Sequence, residues 1–297
     1  MANNTIFNEE VNLKKGFERM RTKSVILVIL FMLLVFSMLF FNPLIKCKLF
    51  FNQTMYSGLI EKIENEALSA NIKIVSLEYS SDENRQSVSI SPGASGVIIG
   101  KEGNRYYALT AYHVILEMDN VDHIQFVVMG YDDIDIADYL SKGGEFQGQV
   151  EYYQQFPVVS IEQVKDEYDL AIISFITDSE YTVLPLADEN PKYGDIVASM
   201  SNPYGERNVI TIGKISSKKL RPFGDELGKI QQPMMEHTAK VSVGSSGSAL
   251  LNENLEIVAL NIGGNYNLFR QFISGMAMPN EQIRTFLEDW KKIISME

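Results

Sequence analysis

Gly93-Ala94-Ser95-Gly96-Val97-Ile98-Ile99-Gly100-Lys101-Glu102-Gly103-Asn104-Arg105-Tyr106-Tyr107-Ala108-Leu109-Thr110-Ala111-Tyr112-His113-Val114 reads as one strand, a turn at Gly103-Asn104, and a second strand that delivers His113 at its end. The same texture continues in both directions from about residue 86. Short β-branched and aromatic runs recur at Ile124 to Met129, Leu170 to Phe175, Ile196 to Met200, Asn208 to Ile212 and Ile257 to Ile262, separated by Gly, Asn and Asp. Many short strands with such turns predict an antiparallel barrel or sandwich rather than βαβ units. The end differs. After Pro279-Asn280, apolar residues at Ile283, Phe286, Leu287, Trp290, Ile293 and Ile294 keep helical spacing and predict an amphipathic C-terminal helix that packs on the core.

The chain has 297 residues, 45% hydrophobic and 22% charged, enough to bury a sizeable core. A net charge of -12 argues against a nucleic-acid partner, which needs a basic face for phosphates. A single cysteine, Cys47, excludes an intrachain disulfide, and with only three histidines a His/Cys metal cluster is not expected. His123 and His237 are read as incidental, and no cofactor is expected. Neither GxxxxGK[ST] nor GxGxxG occurs, which removes the simplest nucleotide sites.

Charge is uneven along the chain. Residues 1–50 carry seven Lys/Arg and three Asp/Glu, against 26 and 38 in the whole chain, so a basic leader precedes an acidic remainder. Between them Val25 to Phe41 is apolar except for Ser37, 17 residues or roughly 26 Å as a helix, near the short limit for a bilayer core. Five cations (Lys14, Lys15, Arg19, Arg21, Lys23) precede it and two (Lys46, Lys48) follow. That asymmetry predicts a single-pass signal anchor with a cytoplasmic N-terminus and an extracytoplasmic remainder. The expected division is a cytoplasmic tail at 1–23, a transmembrane helix at 24–45, a juxtamembrane stalk and linker at 46–85, and one β-rich domain at 86–297. Within the stalk, Ser57 to Ala70 has helical spacing, while Ser80 to Ser87 is wholly polar and reads as linker. Tyr131 to Asp138, with four aspartates, reads as a solvated acidic loop without the calcium-loop spacing.

Three stretches carry chemistry. His113 follows its strand, Asp169 opens the apolar Leu170-Ala171-Ile172-Ile173, and Gly244-Ser245-Ser246-Gly247-Ser248 sets glycines about a serine pair. Serine-dependent amide hydrolysis needs a hydroxyl, an imidazole to take its proton, a carboxylate to orient the imidazole, and N–H groups aimed at the oxyanion. Each piece alone is weak. Together, in the order His, Asp, Ser on an all-β chain, they are hard to reconcile with coincidence.

On these residues the chain resembles the chymotrypsin-fold serine proteases, specifically the HtrA/Deg-like trypsin-like peptidases, over roughly residues 90 to 290. Ser201-Asn202-Pro203-Tyr204-Gly205, Thr211-Ile212-Gly213-Lys214-Ile215-Ser216 and Gly275-Met276-Ala277-Met278-Pro279 are similar to further segments of that family. The resemblance implies two antiparallel six-stranded β-barrels with the site between them. It makes His113 the general base, Asp169 its orienting carboxylate and Ser246 the nucleophile, with the Gly244 and Ser246 N–H groups as oxyanion hole. About 18 residues follow Pro279, too few for the PDZ domain such proteins usually carry, and the 56-residue gap from His113 to Asp169 implies an insertion near Tyr131 to Ile161. Gly-x-Ser-Gly-Ser also occurs in glutamyl endopeptidases, which place a histidine where Asn261 stands, so strong glutamate preference is not expected. Lys240, six residues before Ser246, and Asn261 are the candidate substrate-binding residues. Lys240 either favours an acidic substrate side chain or points to solvent.

The expected function is a membrane-anchored serine endopeptidase acting on polypeptides outside the cytoplasmic membrane; trimers are common among relatives, and the sequence leaves open whether this chain forms such a homo-oligomer. The alternative is a latent or non-catalytic sensor or scaffold on the same fold. An esterase fits less well, because the α/β-hydrolase order is Ser, Asp, His.

Overall fold

The computed structural model describes residues 56–82, 85–116, 121–146, 148–222 and 233–294. The expected cytoplasmic tail and signal anchor lie outside these residues; among the described residues no helix is long and apolar enough to cross a membrane. The compact unit starts at Leu59 rather than near residue 86. The helix α1 (Ser57–Glu66) turns Ile63 into the core, followed by buried Ala67, so its apolar stripe packs on the domain.

The chain then enters β1 (Asn71–Asp82), a twelve-residue strand pairing with three others. These are β2 (Arg85–Ile90), β3 (Ala94–Glu102) and β5 (His123–Met129), all antiparallel to it. The polar stretch expected as linker is therefore the outer part of a β1–β2 hairpin, in which Ser80 faces Ser87. Main-chain ladder bonds hold it there without apolar residues. From β3 the sheet continues through β4 (Arg105–Ala111) and β7 (Leu170–Ile176) to β6 (Ser160–Lys165). Six of seven β7 residues are buried, as a strand covered on both faces requires. A bridge between Val127 and Val158 draws β5 toward the start of β6, so this seven-stranded sheet curls on itself.

The second sheet has the order β10 (Arg221–Pro222), β11 (Pro233–His237), β14 (Phe272–Pro279), β13 (Ile257–Tyr266), β12 (Ala249–Leu251), β8 (Ile196–Ser201) and β9 (Val209–Lys214). It curls likewise, through a bridge between Ile215 and His237. Two curled antiparallel sheets with a C-terminal helix make a chymotrypsin-like, all-β fold. Each has seven strands instead of six, because β2 and the two-residue β10 add to the outer edges. One apolar cluster runs through both, from Ile72 and Leu109 to Met200, Leu260 and Met278. The C-terminal helix α4 (Asn280–Ile294) adds Ile283 and Phe286 to that cluster and sets Trp290 edge-on against Tyr107 of β4, 5.1 Å between ring centroids.

The insertion after β5 forms two short helices, α2 (Ile136–Ser141) and α3 (Gln149–Gln154). Tyr152 and Tyr153 of α3 cover Val75, Leu77, Val127 and Met129 in a smaller core outside the first sheet. Its acidic lead is not wholly solvated: Asp133 accepts the Gly130 N–H at 2.7 Å, and Asp135 pairs with nearly buried Lys73 at 2.7 Å. An apolar sheet face needing cover pulls these carboxylates toward fixed donors.

Candidate active site

Strand register brings the first two candidate residues together. Antiparallel β4 and β7 place Ala111 opposite Leu170, so the residues just after one strand meet those just before the other. His113 lies in the 3-10 turn Tyr112–Val114, and Asp169 immediately precedes β7. The Tyr112 N–H donates to the Asp169 carbonyl at 3.1 Å, and the His113 N–H to Asp169 Oδ1 at 2.8 Å. The other carboxylate oxygen, Oδ2, lies 2.6 Å from His113 Nδ1. An ionised carboxylate only accepts, so Nδ1 carries the proton and Nε2, on the opposite edge, keeps its lone pair. Asp169 is buried and its backbone is left-handed (φ 50°), a conformation aspartate tolerates better than most residues. The half-exposed imidazole faces solvent beyond it.

The serines lie on a turn before β12. Ser245 is buried: its Oγ accepts the Ser242 N–H at 3.1 Å and donates to Ser201 Oγ at 3.3 Å. Ser246 is less enclosed, and its hydroxyl donates to the Ile262 carbonyl at 3.1 Å. Ile262 lies where the β13–β14 register shifts between Asn261 and Gly263, a bulge that re-aims the main chain toward this turn. The N–H groups of Ser245, Gly247 and Ser248 bond to Ser242, Asn261 and Ser245 carbonyls respectively. Among the described residues no acceptor meets the N–H of Gly244 or of Ser246. Gly244, at φ +93°, needs to be glycine, because a Cβ there would lie 2.6 Å from the Asn202 carbonyl oxygen.

The turn is gripped from outside by residues to which the sequence alone assigns no role. Ser95, beginning β3, donates its N–H to the Ser246 carbonyl at 3.0 Å and its hydroxyl to the Gly244 carbonyl at 2.8 Å. Tyr204 donates its N–H to the Val243 carbonyl at 2.7 Å. Asn202 donates its N–H to Ser95 Oγ at 2.9 Å. Ser95 falls inside the opening stretch, yet a strand serine carries no signal of its own, since its partner lies about 150 residues away.

The trypsin-like peptidase domain family matches residues 94–260, more than half of the chain, a span that includes His113, Asp169 and the turn from Gly244 to Ser248. The chain belongs to that family. Among curated relatives of this family member, the serine endoprotease DegS of Haemophilus influenzae is 27% identical over 205 residues, covering 67% of this chain and 51% of that protein. The periplasmic pH-dependent serine endoprotease DegQ of Escherichia coli is 27% identical over 201 residues, 65% of this chain and 36% of DegQ. A glutamyl endopeptidase of Staphylococcus aureus is 26% identical over 203 residues, 66% of this chain and 53% of that enzyme. The chain thus matches about half the length of these relatives, or less.

Beside Ser246 the peptidase domain opens a cavity of about 170 Å³, lined by Val241, Ser242, Val243, Ser245, Asn261, Gly263, Gly264 and Tyr266 as well as Ser246 itself. Asn261 is buried in this wall, its amide donating to Ser199 Oγ at 2.9 Å and Ser248 Oγ at 2.8 Å. Lys240 is not among the lining residues: it is exposed, and its carbonyl accepts from Thr211 Oγ1 at 2.9 Å. Behind the wall His237, read from sequence as incidental, is fully buried. Burial pushes its imidazole down to about 4; the Asn261 side chain and the Ala239 backbone, without hydrogen bonds of good geometry, offset only part of this.

Proposed function

We propose that this protein is a serine endopeptidase with His113 as base, Asp169 as its orienting carboxylate and Ser246 as nucleophile. The observation that carries the reading is the double clamp of one Asp169 carboxylate on the His113 N–H and Nδ1, which leaves Nε2 free to accept a proton. Ser246 Oγ would attack the scissile carbonyl carbon while its proton passes to Nε2. The oxyanion would be held by the Gly244 and Ser246 N–H groups, which face no competing acceptor among the described residues. Collapse of the tetrahedral adduct returns the proton from Nε2 to the leaving amine and leaves an acyl-serine, which water hydrolyses by the same base. The engagement of the Ser245 hydroxyl on both sides, against the one bond that the Ser246 hydroxyl makes among the described residues, supports Ser246 as the attacking residue.

The cavity beside Ser246 has no cationic side chain among its lining residues, so an uncharged P1 side chain suits it better than the glutamate that one relative's name denotes. The basic leader, the apolar run Val25 to Phe41 and the two following lysines support a membrane-anchored enzyme with its domain on the extracytoplasmic side. Fluorophosphonate labelling of the full chain tests the chemistry: labelling retained in Ser245→Ala and lost in Ser246→Ala is expected, and no labelling of the folded wild type would overturn it. A second reading, a latent enzyme, has its own support, because the Ser246 hydroxyl is directed at the Ile262 carbonyl. In that case labelling appears only after a peptide or partner is added.

A further inference from the structure

The segment after β5 touches the loop 202–208 directly at two points and reaches it at a third through Lys73 of β1, and that loop in turn holds the turn carrying Gly244. Lys73 of β1 is 4% exposed at its side chain; its ammonium donates to Asp135 Oδ1 at 2.7 Å and to the Gly205 carbonyl at 3.0 Å. Arg207 donates to the Gly130 carbonyl, and Asn208 Nδ2 to the Tyr131 carbonyl at 2.6 Å. Next to Gly205, the Tyr204 N–H bonds the Val243 carbonyl at 2.7 Å. Val243 C=O and Gly244 N–H belong to one planar peptide and point in opposite directions. Whatever fixes the carbonyl therefore fixes where the Gly244 N–H points.

The geometry points to Lys73 and Asp135 as positioning residues for the oxyanion site: the ion pair holds Gly205, Gly205 sets its neighbour Tyr204, and Tyr204 locks the Val243–Gly244 peptide with its N–H turned into the cleft. This inference rests on the serine-peptidase reading and goes beyond it, because it gives the insertion a part in catalysis. The charges suit the task. Burial lowers the Lys73 ammonium, and Asp135 opposes that shift, so without the carboxylate the donor to Gly205 is weakened at its source. The aliphatic stem of Lys73 runs beneath Gly93, where a Cβ would lie 2.7 Å from Lys73 Cε, so the ammonium has little room to find another partner.

Asp135→Ala, Asp135→Asn, Lys73→Met and the double variant Lys73→Met/Asp135→Ala test it in the full chain. Displacing an oxyanion donor acts on the transition state, so kcat toward a peptide substrate should fall about 10- to 100-fold in Asp135→Ala and Lys73→Met, with KM nearly unchanged. Asp135→Asn, which keeps an acceptor for Lys73, should recover most of the loss. The double variant should be no worse than Lys73→Met, because both residues act through Gly205. Hydrogen exchange gives a readout independent of turnover: in the single variants peptides covering Tyr204 and Val243 to Gly247 should exchange faster, while β4 and β7 keep wild-type protection. Wild-type kcat in folded Asp135→Ala, a loss confined to KM, or unchanged exchange in these peptides would each overturn the inference. An inactive wild type in which the exchange changes still occur would sink the peptidase reading and leave the coupling in place.

Discussion

Asp169 spends both carboxylate oxygens on one residue, and this makes it the sharpest place to test the chemistry. In Asp169→Asn the carbonyl oxygen of the new amide would take the His113 N–H, as Oδ1 does now, and its NH2 would face Nδ1. A donor there forces the imidazole proton onto Nε2, the atom that accepts from Ser246 in the proposed mechanism. The fold should survive, because the amide is isosteric, while kcat should drop about ten-thousandfold with little change in KM. A variant retaining more than about a tenth of wild-type kcat would remove Asp169 from its role. At this scale the site was half legible. His113, Asp169 and the Gly-x-Ser-Gly turn stand out because their chemistry needs those residue types, whereas Ser95, Asn202 and Lys73 act through contacts to residues more than 60 positions away, which no local pattern encodes.

Elements were legible where burial dictates alternation or continuous apolar runs. The runs at Tyr106 to Thr110, Leu170 to Phe175 and Ile257 to Ile262 all fall inside strands, and the closing periodic segment forms α4. The β1–β2 hairpin was not legible as structure, because its distal part is polar on both strands and is held by main-chain pairing. The C-terminal helix leads to an element-scale prediction. It follows the last strand of the second sheet yet sets Trp290 against Tyr107 of the first, so it ties the two sheets together. Phe286 is 1% exposed within the shared core. Phe286→Ala should cost about 3–5 kcal/mol, seen as a lower midpoint in urea without a change in slope. Trp290→Ala removes a partly buried ring and should cost less, but at a temperature where it remains folded its labelling by fluorophosphonate should slow, because His113 and Ser246 come from different sheets. Unchanged labelling would show that α4 only adds bulk to the core.

For the molecule as a whole, the buried His237 ties stability to pH. Its imidazole titrates near 4 in the folded state and near its ordinary value of 6.5 when unfolded. Between these values the unfolded chain binds more protons, so folding stability rises with pH across that window. It is complete above about 6.5 and declines as pH falls toward 4, by about 3 kcal/mol for this one group. Other ionisable groups also contribute to the total slope, so that slope alone does not identify the source. Comparison with His237→Leu does. That replacement is apolar and similar in volume, and its site above Gly275 already excludes water. The variant should lose stability less steeply between pH 6.5 and 4.5 than wild type, with the two curves diverging most at the acid end. Parallel curves would mean that His237 stays neutral in both states or gains a partner on protonation. Because His237 backs Asn261 in the cavity wall, acid should also disturb the substrate pocket before the first sheet opens. Hydrogen exchange near pH 5 should then show loss of protection in β11 and β13 ahead of β4 and β7.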